Sequence, residues 1–200
     1  MPELPKILMS DKAVIIGHSG SGKTYLLKYL LKNQLNTLSP MFIIDSANQL
    51  SRVPYYNYVG KTDCNYKRAN QFCYKFHTGY QLEAFISYLQ HNKKQFFMVI
   101  DEVDRYTSPL TIEPETKLWL EEGRNFNRGG IFTVRRVGFL NKSILSNSRY
   151  LYLFKINNKS DRIYLSTILD MDISSLIYHN EHSFYVFDLY NTKMIGEFIV

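Results

Sequence analysis

Eight residues near the start of the chain, Gly17-His18-Ser19-Gly20-Ser21-Gly22-Lys23-Thr24, satisfy the pattern G-x-x-x-x-G-K-[ST] at every fixed position. The chemistry this spacing suits is the binding of a polyphosphate. Glycines let consecutive backbone N–H groups curl around phosphate oxygens, and the start of a following helix adds a partial positive charge. Lys23 is placed to reach the β- and γ-phosphates and the Thr24 hydroxyl to sit on Mg²⁺. The expected nucleotide-contacting set is Gly17, His18, Ser19, Gly20, Ser21, Gly22, Lys23, Thr24 and Tyr25, with His18 contributing its backbone. Further along, the apolar run Phe96-Phe97-Met98-Val99-Ile100 ends in Asp101-Glu102. A carboxylate at the end of a buried strand can hold a Mg²⁺ shell, so Asp101 joins Thr24 as a metal candidate. A Glu directly after it is the residue type that orients and deprotonates an attacking water, so Glu102 joins Lys23 as a catalytic candidate. Two acids at a strand end can also be merely solvated; the phosphate loop upstream favours the site.

These residues need a scaffold that delivers them to one place. Ala13-Val14-Ile15-Ile16 reads as a short strand before the loop, and residues 25–32 read as a helix with Leu26, Leu27, Leu30 and Leu31 on one side. Met41-Phe42-Ile43-Ile44-Asp45 reads as a buried strand. Asp45 falls at its C-terminal end, where α/β sheets place ligand chemistry, although capping a turn is an equal reading. Residues 72–76 form a short strand, and Leu82, Phe85, Ile86 and Leu89 mark a helix face. Residues 111–122 read as a helix with Pro114 in its first turn, Gly123 at its end, and Leu118 and Trp119 as core contacts. Residues 131–134 and 150–156 are two more strands, and Asp104 is expected to pair with Arg105. This alternation predicts an α/β fold with a parallel sheet covered on both faces. Ser183-Phe184-Tyr185-Val186-Phe187-Asp188 and Met194-Ile195-Gly196-Glu197-Phe198-Ile199 flank a turn at residues 190–192 and read as a hairpin.

Composition narrows the class. The 200 residues, 45% apolar and 21% charged, suit one globular domain over 1–200. A net charge of +6 permits a nucleic-acid partner without demanding one. Cys64 and Cys73 lack zinc or redox spacing and read as free thiols in a reducing compartment. No apolar run is long enough to span a membrane, and the first residues lack the basic start and apolar core of a signal peptide. A soluble, intracellular protein is expected. Between residues 123 and 160 there are eight Arg or Lys residues and no acid.

The order of these motifs resembles a known group. After the phosphate loop come strands ending Ile44-Asp45 and Asp101-Glu102, then Glu122-Gly123-Arg124-Asn125, then Thr133-Val134-Arg135-Arg136-Val137, then the hairpin. The pattern is similar to the small genome-packaging ATPases of tailless, membrane-containing icosahedral viruses in the FtsK/HerA superfamily, the archaeal-virus type above all. That resemblance implies a P-loop NTPase with a RecA-like (ASCE), mostly parallel sheet, helices on both faces and a C-terminal β-hairpin. It implies that strand 131–134 lies between the phosphate-loop strand and the Asp101 strand. The family has Gln then Arg after that strand; this chain has Arg135-Arg136, so Arg135 stands where a γ-phosphate sensor is expected. An Arg can bind the phosphate but cannot accept a hydrogen bond from water as a Gln carbonyl can. Arg124 matches the family's Gly-Arg element and is the candidate finger reaching a neighbour's γ-phosphate, with Arg128 as substitute.

The resemblance further implies ATP and Mg²⁺ as cofactors, a ring-shaped homo-oligomer, double-stranded DNA and capsid or packaging-vertex proteins as partners, and a place in the host cytoplasm or at the virion's packaging vertex. A DNA grip should be electrostatic. Its candidates are Arg52, Lys61, Lys67 and Arg68, interleaved with Tyr55, Tyr56, Tyr58 and Tyr66, or the loop 105–112. The alternatives are a nucleoside or nucleotide kinase, a filamentous-phage assembly ATPase, which generally carries a membrane segment, and a signalling GTPase. The last needs Asn-Lys-x-Asp, and Asn141-Lys142-Ser143-Ile144 lacks the Asp.

Overall fold

The computed structural model describes residues 3–45, 47, 49–50 and 76–200, and the backbone of 57–58 and 71–74. In chain order the elements are β1 (Lys12–Ile16), α1 (Lys23–Asn33), β2 (Met41–Asp45), β3 (Asn57–Tyr58), β4 (Gln71–Tyr74), α2 (Gly79–Asn92), β5 (Phe96–Asp101), α3 (Pro114–Glu122), β6 (Arg128–Val134), α4 (Lys142–Ser146), β7 (Tyr150–Phe154), α5 (Lys159–Leu169), β8 (Ser183–Asp188) and β9 (Lys193–Ile199). Among the described residues the strands form one sheet in the order β3-β4-β2-β5-β6-β1-β7-β8-β9. The pairings from β3 to β7 are parallel; β8 and β9 close the sheet as an antiparallel hairpin.

Burial on both faces explains why the central strands read as continuous apolar runs rather than alternating ones. Successive side chains point to opposite faces. Val14 and Ile16 of β1 therefore join one core with Leu82, Phe85, Ile86 and Leu89 of α2, Leu120 of α3, Leu145 of α4 and Leu165 of α5. Ala13 and Ile15 join the other, with Leu26, Leu27, Leu30 and Leu31 of α1 and Phe184 and Val186 of the hairpin. Coverage is thus uneven. Among the described residues four helices pack on one face, while α1 and Ile7 pack on the other, where Phe184 and Val186 are the hairpin's own share of the sheet surface.

Trp119 fills the first core beside Phe132, with ring centroids 5.5 Å apart, and its indole N–H donates to the Arg128 carbonyl at 2.9 Å. Truncating a side chain buried to this degree costs about 3–5 kcal/mol. Leu118, expected beside it in the core, is instead 40% exposed. Neighbouring helix residues lie about 100° apart, so the buried face runs through Thr116, Trp119 and Leu120 and leaves Leu118 outside. Helix α3 runs Pro114–Glu122, three residues shorter at its start than the expected 111–122 because Pro114 takes the first helical position, and Gly123 follows its end as expected. Helices α4 and α5 were not legible; α5 starts where the Asn158 side chain accepts from the Asp161 N–H at 3.1 Å. Cys64, Arg52, Lys61, Lys67, Arg68, Tyr55, Tyr56 and Tyr66, and the side chains of Cys73 and Tyr58, lie outside the described residues.

Candidate nucleotide site

Parallel strands all present their C-terminal ends to one edge of the sheet, and the sheet order decides which ends are neighbours. Ile16 of β1 pairs with Val134 of β6, and Ile100 of β5 pairs with Phe132. Strand β6 therefore lies between the phosphate-loop strand and the Asp101 strand, as expected. The loop after β1 is tied to β6 by the Gly17 N–H, which donates to the Val134 carbonyl at 3.3 Å. Gly17 and Gly22 are required by shape. A Cβ on Gly17 would lie 2.6 Å from Phe154 Cβ and from Ser21 Oγ. Gly22 has φ of 107°, a region that side-chain-bearing residues rarely enter.

A cleft of about 300 Å³ results, lined by Ser19, Gly20, Gly22, Lys23, Thr24 and Tyr25 together with Gln49, Asp101, Glu102, Thr133 and Arg135; Gly17, His18 and Ser21 of the expected set are not among its walls. Lys23 Nζ donates to the His18 carbonyl at 2.8 Å, so the loop's own backbone holds the lysine before any phosphate arrives. Burial lowers the Lys23 pKa, and the carboxylates of Asp101, Glu102 and Asp104 oppose that shift. Burial raises the Asp101 carboxyl to about 6, against the pull of its hydrogen bond from Thr133 and with Asp45 and Glu102 adding to the rise. A divalent cation restores the preference for the charged form.

Thr133 is a site residue that motif reading missed. Its hydroxyl donates to Asp101 Oδ1 at 2.6 Å and accepts from the Glu102 N–H at 2.8 Å. One side chain on β6 thus holds the Asp101 carboxylate and the backbone of Glu102, the residue that follows β5. Glu102 itself has φ of 54°, a left-handed conformation for a non-glycine residue. Such strain concentrates at functional sites. Gln49 is a second missed residue. Its Oε1 accepts from the Thr24 hydroxyl at 3.0 Å, which leaves the hydroxyl lone pairs for a cation. Gln49 is held because Asp45, fully buried at the end of β2, accepts from the Gln49 and Leu50 N–H groups at 2.9 and 2.7 Å. Asp45 caps a turn and, through it, positions a site residue. No local pattern announces either Gln49 or Thr133, because both are defined by what they meet across strands.

The arginines sort differently from the reading above. Arg105 pairs with Glu102, not Asp104. Asp104 takes Arg135, at 2.9 Å, and Arg135 also lies 3.9 Å from Glu102. Arg136 points away to the buried Asp161 at 3.4 Å. Arg128 is built into the scaffold: it donates to the carbonyls of Gln90 and Lys93 at 2.9 and 3.1 Å, closing the end of α2. Arg124 is exposed and lies 4.8 Å over the Tyr190 ring, beside the start of β6 and Lys12. That is the opposite edge of the sheet from its own phosphate loop, so the structure brings Arg124 to no atom of its own cleft.

The donor set fits Mg²⁺, a hard cation that takes one or two protein oxygens and completes its shell with phosphates and water. Thr24 and Asp101 supply such oxygens in one cleft. Among the described residues no group of three or more His, Cys, Asp or Glu offers a closed protein cage. No described helix is long and apolar enough to cross a membrane.

No protein-family model matches the chain, and no curated protein matches it in sequence. Solved structures match its fold. The genome packaging NTPase B204 of Sulfolobus turreted icosahedral virus 2, in complex with AMPPCP, superposes over 94% of this chain and 97% of its own at 18% identity and a TM-score of 0.74. B204 of Sulfolobus turreted icosahedral virus, described as the DNA-packaging ATPase, covers 92% of this chain and 95% of its own at 20% identity and 0.68. The pCW3 conjugation coupling protein TcpA, with ATPγS, covers 89% of this chain and 58% of its own at 14% identity and 0.59. The chain has the fold of P-loop NTPases, with the mostly parallel sheet and terminal hairpin that the motif order predicts.

Proposed function

We propose that residues 1–200 act as one Mg²⁺-dependent ATPase domain whose hydrolysis drives double-stranded viral DNA into a preformed capsid. The observation that carries the ATPase reading is the convergence of Lys23, Thr24, Asp101, Glu102 and Arg135 on one cleft. The packaging reading rests on motif order and on the fold shared with a genome-packaging NTPase. Thr24 and Asp101 are the residues that would hold Mg²⁺, which when bound neutralises charge on the β- and γ-phosphates. Lys23 binds the same phosphates. Glu102 accepts the proton of a water whose oxygen bonds to the γ-phosphorus as the bond to the β–γ bridging oxygen breaks, leaving ADP and phosphate. Arg135 stabilises the charge on the transferred group, exchanging Asp104 for a γ-phosphate oxygen. Arg124, at the far edge, serves a neighbouring subunit, which requires an oligomer, and the reading takes that oligomer to be a ring.

Glutamate 102 provides the test. Phosphate release by wild type and Glu102→Gln is measured with and without double-stranded DNA and with no acceptor nucleoside present. Wild type hydrolyses ATP, while Glu102→Gln loses hydrolysis and retains ATP binding. Normal hydrolysis by the variant removes Glu102 as the base. Phosphate transfer only when an acceptor nucleoside is added converts the reading to a kinase.

A further inference from the structure

Glu102 is held between two guanidinium groups. Arg105 Nε pairs with Glu102 Oε2, and Arg135 Nε lies 3.9 Å from Oε1. A general base must come within about 3 Å of the water it activates. A side chain clamped on both oxygens is not at liberty to turn there.

The two cations differ in what can draw them off. Arg135 lines the phosphate cleft, so a γ-phosphate oxygen can take it. Arg105 is not among the cleft's walls, and its side chain is 46% exposed. A nucleotide in the cleft therefore leaves Arg105 on Glu102. The anion that removes it has to come from outside.

The turn Val103–Arg105 suits such an exchange. Val103 and Tyr106 are buried on either side of the exposed Arg105, and the Tyr106 hydroxyl donates to the Phe76 carbonyl at 3.1 Å. The Arg105 N–H donates to the Glu102 carbonyl at 2.9 Å, and the Thr107 N–H to the Val103 carbonyl at 3.2 Å. Just beyond, Asn141 Nδ2 donates to the Ser108 carbonyl at 2.9 Å. With its backbone fixed at these points, the turn can stay in place while the Arg105 side chain changes partner. Exposed ion pairs are weak, whereas guanidinium and phosphate make a fork of charge-assisted hydrogen bonds. A net charge of +6 favours the approach of a polyanion. An ordinary pair of residues three apart would only steady the turn. Here the partner is the base itself, on a residue with φ of 54°.

Resting on the ATPase reading above, we propose that Arg105 is both a latch on Glu102 and a contact for nucleic-acid phosphate. It holds the base idle in the free protein and releases it when a phosphodiester of double-stranded DNA takes the guanidinium. Loop 105–112 is then where the site detects DNA, and hydrolysis is slow without it.

The test is steady-state ATP hydrolysis with and without double-stranded DNA, at fixed ionic strength, by wild type, Arg105→Ala and Arg105→Lys. Without DNA, Arg105→Ala turns over about fivefold faster than wild type at an unchanged KM for ATP, the size expected for loss of an exposed ion pair. DNA accelerates wild type and leaves Arg105→Ala at its own rate. Arg105→Lys, which keeps the charge, restores most of the slow DNA-free rate. A DNA-free rate of Arg105→Ala equal to or below that of wild type overturns the latch while leaving the ATPase reading intact. A fast Arg105→Ala that DNA still stimulates by the wild-type factor overturns DNA phosphate as the releasing anion. Absence of phosphate release by wild type in both conditions overturns the ATPase reading instead.

Discussion

Lys12 shows how far a single residue can depart from its usual place. It begins β1 and is only 2% exposed, with Asp11 and Arg124 as its charged neighbours. Burial and Arg124 push its pKa down to about 8, and Asp11 resists the shift. The sign of the consequence follows from proton counting. Between about pH 8 and 10.5 the unfolded chain keeps a proton on Lys12 that the folded chain has released, so stability rises with pH across that window. Below pH 8 the penalty of the buried charge is present in full, at most about 3 kcal/mol. Lys12→Met should therefore raise stability toward urea by about 2 kcal/mol at pH 7, and the advantage should vanish by pH 10.5. Equal urea midpoints for the two proteins at pH 7 would show that the ammonium is solvated. Lys23, the other buried lysine among the described residues, differs because three carboxylates face it. The same burial that costs stability at Lys12 places Lys23 in the wall of the cleft that also holds Asp101 and Glu102.

The elements divide the work between positioning and supply. Strand β1 and helix α1 flank the loop, β5 and the residue after it supply the two acids, and β6 holds the Asp101 carboxylate and the Glu102 backbone through Thr133. Strand β2 adds the turn in which Asp45 holds Gln49 against Thr24. If Gln49 orients the Thr24 hydroxyl toward the cation, Gln49→Ala should weaken binding of a fluorescent ATP analogue about tenfold with Mg²⁺ present and leave binding in EDTA unchanged. An equal loss in both conditions would mean that Gln49 shapes the cleft without serving the cation. Much of this level was legible in advance. The strands around residues 13–16, 41–45, 96–101 and 131–134 are buried on both faces, so each reads as an unbroken apolar run. Helix α5 was not, because its buried positions Asp161, Leu165 and Leu169 mix an acid into the stripe. That acid is satisfied by Arg136 and the Gly138 N–H, contacts made across the fold.

At the scale of the whole molecule the sheet has two working edges. The C-terminal strand ends hold the phosphate-loop cleft, while the N-terminal ends hold Arg124, Tyr190 and Lys12. A five-residue strand spans about 16 Å, so Arg124 cannot reach its own γ-phosphate. If it acts on a neighbour, Arg124→Ala mixed with wild type should depress ATPase activity more steeply than the fraction of variant added. A straight-line decline would place each active site within one subunit. Some of this picture belongs to the sequence alone. The phosphate loop, Asp101-Glu102 and the hairpin are fixed by local chemistry: glycine freedom, a carboxylate pair at a strand end, and alternating runs about a turn. The partners of the arginines and the reach of Gln49 and Thr133 were decided only by tertiary structure. Each of these depends on which strands become neighbours. That choice is made by burial over the entire sheet and leaves no mark at any single stretch of chain.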